Sequence, residues 1–160
     1  GGVIGPTYLV MLGLMFIGGS PGGTAGGIKT TTVGVLALTF WASVTGRNDI
    51  IVQNRRIPQS TVNRAVTVVA SGLLVWLLAL MALEITQQIP SRALAFEVTS
   101  ALGTVGLSIG ATPHLDGIGK IIIILTMFIG RVGPMTLFTL LSWETARADA
   151  RYLDARITLT

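Results

Sequence analysis

Three places along the chain carry residue types that can handle an ion in an apolar setting. The first is Gly103-Thr104-Val105-Gly106-Leu107-Ser108. A dehydrated potassium ion needs a ring of backbone carbonyl oxygens. Aiming successive carbonyls inward takes the dihedral freedom of glycine beside a β-branched residue that keeps the strand extended. Thr104-Val105-Gly106 has that character, and the carbonyls of Gly103, Thr104, Val105, Gly106 and Leu107 are the expected ligands. A simple glycine-containing turn is the plainer reading of the same residues.

The second place is the run Gly18-Gly19-Ser20-Pro21-Gly22-Gly23-Thr24-Ala25-Gly26-Gly27, flanked on both sides by apolar sequence. Glycine loses the most backbone entropy on ordering, and Pro21 removes a hydrogen-bond donor, so the run cannot hold a helix. Broken backbone at membrane depth is tolerated only where protein buries it or where it lines a water-filled cavity. The expected role is a thin, flexible constriction in a permeation path, with Lys29 just past the break. A phosphate-binding loop is disfavoured because Ile28 separates Gly27 from Lys29, where that motif needs lysine directly after its second glycine. A helix kink with no part in permeation is the remaining alternative.

The third place is Arg131. Ten uncharged residues, Ile121–Gly130, precede it, which puts it about 15 Å down a helix and near the bilayer midplane. An arginine there must face protein or water. It is either a fixed positive charge in the ion path or the partner of Glu97 in a structural salt bridge, and the two can hold in different states.

The elements that position these residues follow from composition and spacing. With 51% hydrophobic and 11% charged residues, the chain is too apolar for an ordinary soluble domain. Its mean hydropathy is +0.74. The stretch between Arg64 and Glu84 holds no charge and covers roughly 28 Å as a helix, close to the ~30 Å of a hydrocarbon core. The segment from Ile4 to Trp41 crosses only as two half-helices around the glycine run, and a third span runs from Ile118 to Trp143. Pro90–Leu102 is too short and too mixed to cross, so a re-entrant helix leading into Gly103–Gly110 is expected. The class is an all-α membrane protein: outer helix, re-entrant pore helix with filter loop, and inner helix, preceded by a broken inner helix.

In residues, 1–44 is the broken inner helix with its loop at 18–27, and 45–64 is a cytoplasmic connection. Residues 65–143 form a complete pore repeat, and 144–160 a cytoplasmic tail. The orientation rests on Arg47, Arg55, Arg56 and Arg64 in one connection and Arg147, Arg151 and Arg156 in the tail, against Arg92 alone in the other connection. Trp41 and Trp143 fit interfacial anchors, His114 reads as a solvated loop residue, and Asp149 to Arg156 as a solvated face or docking surface. A weak repeat, Met15-Phe16-Ile17-Gly18 against Met127-Phe128-Ile129-Gly130, supports two related inner helices. The net charge of +4 does not point to nucleic acid, because the arginines sit in inter-helix segments without interleaved aromatics. The absence of cysteine excludes disulfides and thiolate metal sites.

Three separated motifs then carry a resemblance. Phe16-Ile-Gly-Gly-Ser-Pro-Gly-Gly-Thr-Ala-Gly-Gly-Ile-Lys-Thr30, Phe96-Glu-Val-Thr-Ser-Ala-Leu-Gly-Thr-Val-Gly-Leu-Ser108 and Phe128-Ile-Gly-Arg-Val-Gly-Pro-Met-Thr-Leu137 resemble, in order, the Trk/Ktr/HKT superfamily of potassium uptake proteins, most closely its Ktr branch. The resemblance implies a non-enzymatic pore of four pseudo-equivalent repeats in the bacterial inner membrane. Gly18–Gly27 then matches the gate loop of the third repeat, Gly103–Leu107 the fourth repeat's share of the filter, and Arg131 the cavity arginine. It further implies K+ as cargo, Na+ as an activating or coupled ion, a homodimer of pore subunits, and cytoplasmic nucleotide-binding regulatory subunits. Only the C-terminal third of such a protein is represented, so the missing repeats are expected to come from a longer product or from elsewhere. A non-conducting membrane scaffold, with its glycines serving helix packing, is the reading from another class.

Overall fold

The computed structural model describes residues 5–20, 26–46, 51–52 and 55–133, and its regular structure is helical apart from one small hairpin. Helices α1 (Gly5–Phe16) and α2 (Thr30–Val44) are the two halves expected around the glycine run. They are roughly 18 and 22 Å long, each short of a hydrocarbon core. Their facing ends are tied together. Ile17 and Ile28 form a parallel bridge, with the Gly18 N–H donating to the Ile28 carbonyl at 2.7 Å and the Ile28 N–H to the Phe16 carbonyl at 3.3 Å. The loop therefore leaves and returns through a closed neck. Pro21, Gly22, Gly23, Thr24 and Ala25 lie outside the described residues.

Helix α3 (Gln59–Thr86) is, among the described residues, the one helix long and apolar enough to cross a membrane. It begins at Gln59, directly after Pro58, so the last six residues assigned to the connection 45–64 are helical. Proline has no N–H to lose at a helix start and its φ of −64° suits that position, which explains why the helix begins there. The connection also holds a two-rung antiparallel hairpin, β1 (Ile51–Val52) and β2 (Arg55–Arg56), with Ile51 opposite Arg56. The architecture is otherwise helical, in line with the all-α expectation.

Helix α4 (Ser91–Gly103) covers the segment expected to be re-entrant, and the other elements pack around it. It packs against α1, α3 and α5, and α3 also packs on α2 and α5. Every residue from Phe96 to Gly103 is buried. A core of Ala79 and Leu83 from α3, Leu94, Val98 and Ala101 from α4, Leu115, and Ile123 from α5 fills one side. Tyr8, Met15 and Phe96 fill the other, where the Tyr8 hydroxyl donates to the Arg92 carbonyl at 2.7 Å and the Arg92 guanidinium lies 4.4 Å from the ring centre. The Trp76 indole N–H donates to Thr99 Oγ1 at 2.9 Å and docks α3 on the same helix. Because α4 carries polar residues into this interior, each needs a partner. Among the described residues no buried side-chain polar atom lacks one.

Helix α5 (Gly117–Val132) is capped by Asp116, whose carboxylate accepts from the Gly119 N–H at 2.7 Å. Its C-terminal end is a finding about Arg131. The span expected over Ile118–Trp143 would put Arg131 near mid-helix, but α5 stops at Val132 and Arg131 lies in its last turn. Gly133 takes a φ of +92° and precedes Pro134, whose ring disfavours helical geometry in the residue before it. Trp143, the tail 144–160 and its charges Asp149, Arg151, Asp154 and Arg156 lie outside the described residues.

The outward faces are apolar. Leu73, Leu74, Leu77, Leu78, Met81 and Ile85 on α3 are exposed, as are Ile118, Ile121, Ile124, Leu125 and Phe128 on α5. Contiguous apolar surface of this kind suits lipid or further apolar protein, and not water.

Candidate permeation site

The site is assembled at the C-terminal end of α4. Gly103, read from the sequence as the first filter residue, is the last residue of the helix. Two hydrogen bonds end the helix as a Schellman motif: Val105 N–H to the Ser100 carbonyl at 2.9 Å and Thr104 N–H to the Ala101 carbonyl at 3.1 Å. Such a motif places one residue in the left-handed region, which is usually glycine. Here it is Thr104, with φ 52° and ψ 39°.

Glycine is needed one residue earlier for packing, because a Cβ on Gly103 would collide with the Met15 carbonyl oxygen of α1. Thr104 in turn uses its hydroxyl: Oγ1 accepts the Gly26 N–H at 2.8 Å. The returning end of the glycine loop is thus hydrogen-bonded to the first residue beyond α4. A β-branched residue held left-handed costs on the order of 1–3 kcal/mol, so surrounding contacts must enforce it.

Backbone meets backbone throughout this region. A Cβ on Gly130 would collide with the Leu102 carbonyl oxygen, and one on Gly26 would sit 2.7 Å from the Thr104 side chain and 2.9 Å from the Gly130 carbonyl oxygen. The two copies of Met-Phe-Ile-Gly therefore approach the end of α4 from two helices, the first through Met15 and the second through Gly130. Arg131 follows Gly130 directly and is exposed.

Beyond Thr104 the chain runs through Val105, Gly106 and Leu107, all exposed. Gly106 has φ 82°, and Thr104 is the only non-glycine residue with positive φ among those described. The sign of φ therefore alternates over Thr104, Val105, Gly106 and Leu107. The carboxylate of Glu97, buried in α4, accepts from the Ser108 hydroxyl through Oε1 and from the Thr112 hydroxyl through Oε2, the latter at 2.8 Å. Among the described residues Glu97 makes no ion pair with Arg131, so the salt-bridge alternative is not what the structure forms. The two residues occupy different levels: Gly130, next to Arg131, abuts Leu102, more than a helical turn beyond Glu97 on α4.

The remaining sequence candidates divide simply. Gly18, Gly19 and Ser20 leave α1 at the neck of the loop, where the Thr30 N–H reaches the Gly19 carbonyl at 3.4 Å, and Lys29 lies half-buried just before α2. His114 lies exposed in the 3-10 turn Thr112–His114, and Trp41 is exposed near the C-terminal end of α2. Two residues that sequence reasoning passed over matter here. Thr112 completes the shell of Glu97, and Gln87 joins the end of α3 to the start of α5. The Gln87 side-chain amide donates to Asp116 Oδ1 at 2.6 Å, and its carbonyl accepts the Asp116 N–H at 3.2 Å. The Gly119 N–H and the Gln87 amide hold the Asp116 carboxyl below its ordinary value.

A short buried helix thus ends at a glycine-bearing segment, set between apolar helices and touching the glycine loop. The family model for TrkH, described as cation transport protein, matches residues 4–148, and the chain belongs to that family. It is 46% identical over 143 residues to the potassium/sodium uptake protein NtpJ of Enterococcus hirae, covering 87% of this chain and 32% of that protein. It is 40% identical over 151 residues to the Ktr system potassium uptake protein B of Bacillus subtilis, covering 94% and 34%. The crystal structure of the potassium transporter TrkH from Vibrio parahaemolyticus superposes with a TM-score of 0.72 at 25% identity, over 88% of this chain and 32% of that one. The chain thus spans about a third of the length of the curated relatives it matches. These relatives are membrane transporters and not enzymes, and their names give potassium, in one case with sodium, as what they take up.

Proposed function

We propose that this chain supplies the last part of a potassium uptake pore in the cell membrane: the gated inner helix of one repeat and the whole of the next. Residues 5–44 are the broken inner helix, α3 is the outer helix, α4 the pore helix and α5 the inner helix. Gly103, Thr104, Val105, Gly106 and Leu107 form one share of the filter. Gly18–Gly27, with Lys29 and Arg131, form the barrier on its cavity side. Sodium, further pore repeats, a second pore subunit and cytoplasmic regulatory subunits belong to the same reading and come from the resemblance alone.

One observation carries the reading: the alternating sign of φ from Thr104 to Leu107, directly after the buried C-terminus of α4. Alternation between left- and right-handed backbone turns successive carbonyls to one side of an extended chain, which is the arrangement a dehydrated cation requires. The end of α4 adds to it, since a helix C-terminus carries about −0.5 elementary charge and its last carbonyls lack intrahelical donors. No residue but glycine takes φ 82° at position 106 without strain.

The test is Gly106→Ser in the full-length subunit, expressed in cells lacking other potassium uptake. The expected result is potassium uptake that sodium now competes against, with the subunit still inserted. A potassium preference equal to that of the parent protein would remove Gly106 from the filter.

A further inference from the structure

The segment proposed as filter is held at only two points. At one end it is fixed by the Schellman motif and by Thr104. Beyond Val105, the amides of Gly106 and Leu107 donate to nothing among the described residues. The next anchor is Ser108, through Glu97. Behind the segment lies a half-open cavity of about 180 Å³, lined by Glu97, Ser100, Gly106, Leu107, Ser108 and Thr112, so packing does not wedge the strand in place. Its path depends on its two anchors.

The second anchor is a closed set of hydrogen bonds. An ionised carboxylate accepts and cannot donate, so both of its oxygens need donors once buried. Ser108 supplies one to Oε1 and Thr112 one to Oε2. Ser108 Oγ then accepts the Gly110 N–H at 3.0 Å and lies 3.0 Å from Thr112 Oγ1. The Glu97 backbone is held within the buried stretch of α4, so its carboxylate shifts only as its two hydroxyl donors allow. Thr112 and Ser108 bracket the turn that follows the filter segment and tie both of its ends to one fixed point.

We propose that Thr112 and Ser108, acting through Glu97, are positioning residues that set the spacing of the filter carbonyls and hence the preference among alkali cations. The proposal rests on the filter reading above. Removing the Thr112 hydroxyl leaves Glu97 Oε2 without its donor, and the carboxylate is then free to shift with Ser108. Whether selectivity follows from cavity size or from the field of the carbonyls, a shift of the Ser108 anchor changes both.

The experiment uses the full-length subunit and measures the KM for potassium, maximal uptake and sodium competition side by side. Thr112→Val, which keeps shape and removes the hydroxyl, should raise the potassium KM by about tenfold and weaken discrimination against sodium, the size expected when a charge-assisted bond is lost. Thr112→Ser should restore both. Ser108→Ala, read out identically, stands in if Thr112→Val does not insert. Gly106→Ser is run in parallel to separate the two readings. If Gly106→Ser changes ion preference while Thr112→Val and Ser108→Ala alter only the amount of inserted protein, the positioning role is wrong and the filter reading stands. If none of the three changes ion preference, the filter reading falls and takes the positioning role with it.

Discussion

The bond between Gly26 and Thr104 gives a prediction whose size can be worked out in advance. Gly26 is buried, and its N–H donates to Thr104 Oγ1 at 2.8 Å. Thr104→Val keeps the β-branched shape and the left-handed strain, so the backbone contribution cancels between parent and variant. What changes is the acceptor. A buried N–H stripped of its partner costs about 1–3 kcal/mol, which multiplies the population of the detached loop about 5- to 150-fold. Thr104→Gly loses the same bond but relieves left-handed strain of on the order of 1–2 kcal/mol, so its loop should detach less than that of the valine variant. Thr104→Ser retains the hydroxyl and should stay near the parent. The measurement is amide hydrogen exchange of the peptide containing Gly26 in the full-length subunit, where exchange through local opening tracks that population. Potassium flux should rise in the same order if the loop is a barrier. Equal exchange at Gly26 in the parent and Thr104→Val would refute the reasoning, and equal exchange in the valine and glycine variants would refute the strain argument.

Other expectations concern stability. Gly130→Ala places a Cβ against backbone atoms of Leu102, at 2.8 Å from its carbonyl carbon and 2.9 Å from its Cα. No side-chain rotation relieves a backbone clash, so the loss should reach or exceed the ~1–3 kcal/mol of ordinary overpacking. Gly117→Ala, with nothing within 4 Å, should stay within about 0.5 kcal/mol, and thermal melting of the purified subunit distinguishes the two. Asp116 has its carboxyl held below the ordinary 3.8 by the Gly119 N–H and the Gln87 amide. A depressed folded value means that its contribution is whole above the unfolded pKa and is lost as pH falls through the folded one. Melting from about pH 6 to about pH 3 should therefore fall less steeply in Asp116→Asn than in the parent, and parallel curves would count against the cap.

Much of the fold is legible because its signals are local. The charge-free run after Arg64 marks α3, Pro90 marks the start of α4, the glycine run separates α1 from α2, and Gly133-Pro134 marks the end of α5. That last signal was available for placing Arg131 at a helix end, but the apolar sequence beyond Pro134 suggested an unbroken span. The site is less legible, because its chemistry is in pairs distant along the chain. Gly26 and Thr104 are 78 residues apart, and Gln87 and Asp116 are 29 apart. Capping rules assign the left-handed position to glycine, whereas here Thr104 takes it and Gly103 is needed instead for its close approach to Met15. The partners of Glu97 are hidden for a related reason. Charge complementarity suggests Arg131, but two hydroxyls within 15 residues on the same chain reach the carboxylate first.

The two ends of the proposed filter segment are thus built on different physics. At the Thr104 end, Gly103 and Gly130 meet the backbone of Met15 and Leu102, so a side chain added at either glycine acts by steric exclusion. At the Ser108 end, a carboxylate and two hydroxyls hold the chain beside an open cavity, so substitution there shifts a geometry without preventing folding. The same contrast accounts for the arginine. Arg131 lies in the last turn of α5, one residue past the glycine that abuts Leu102 near the end of α4. Two helix C-termini converge there, each with about −0.5 elementary charge, and a cation in the last turn of a helix is stabilised by that field. A positive charge deep in apolar sequence is therefore stabilised without an ion pair to a carboxylate among the described residues. If Arg131 lines the proposed ion path, Glu97 does not neutralise it, because the Glu97 carboxylate is taken up by Ser108 and Thr112.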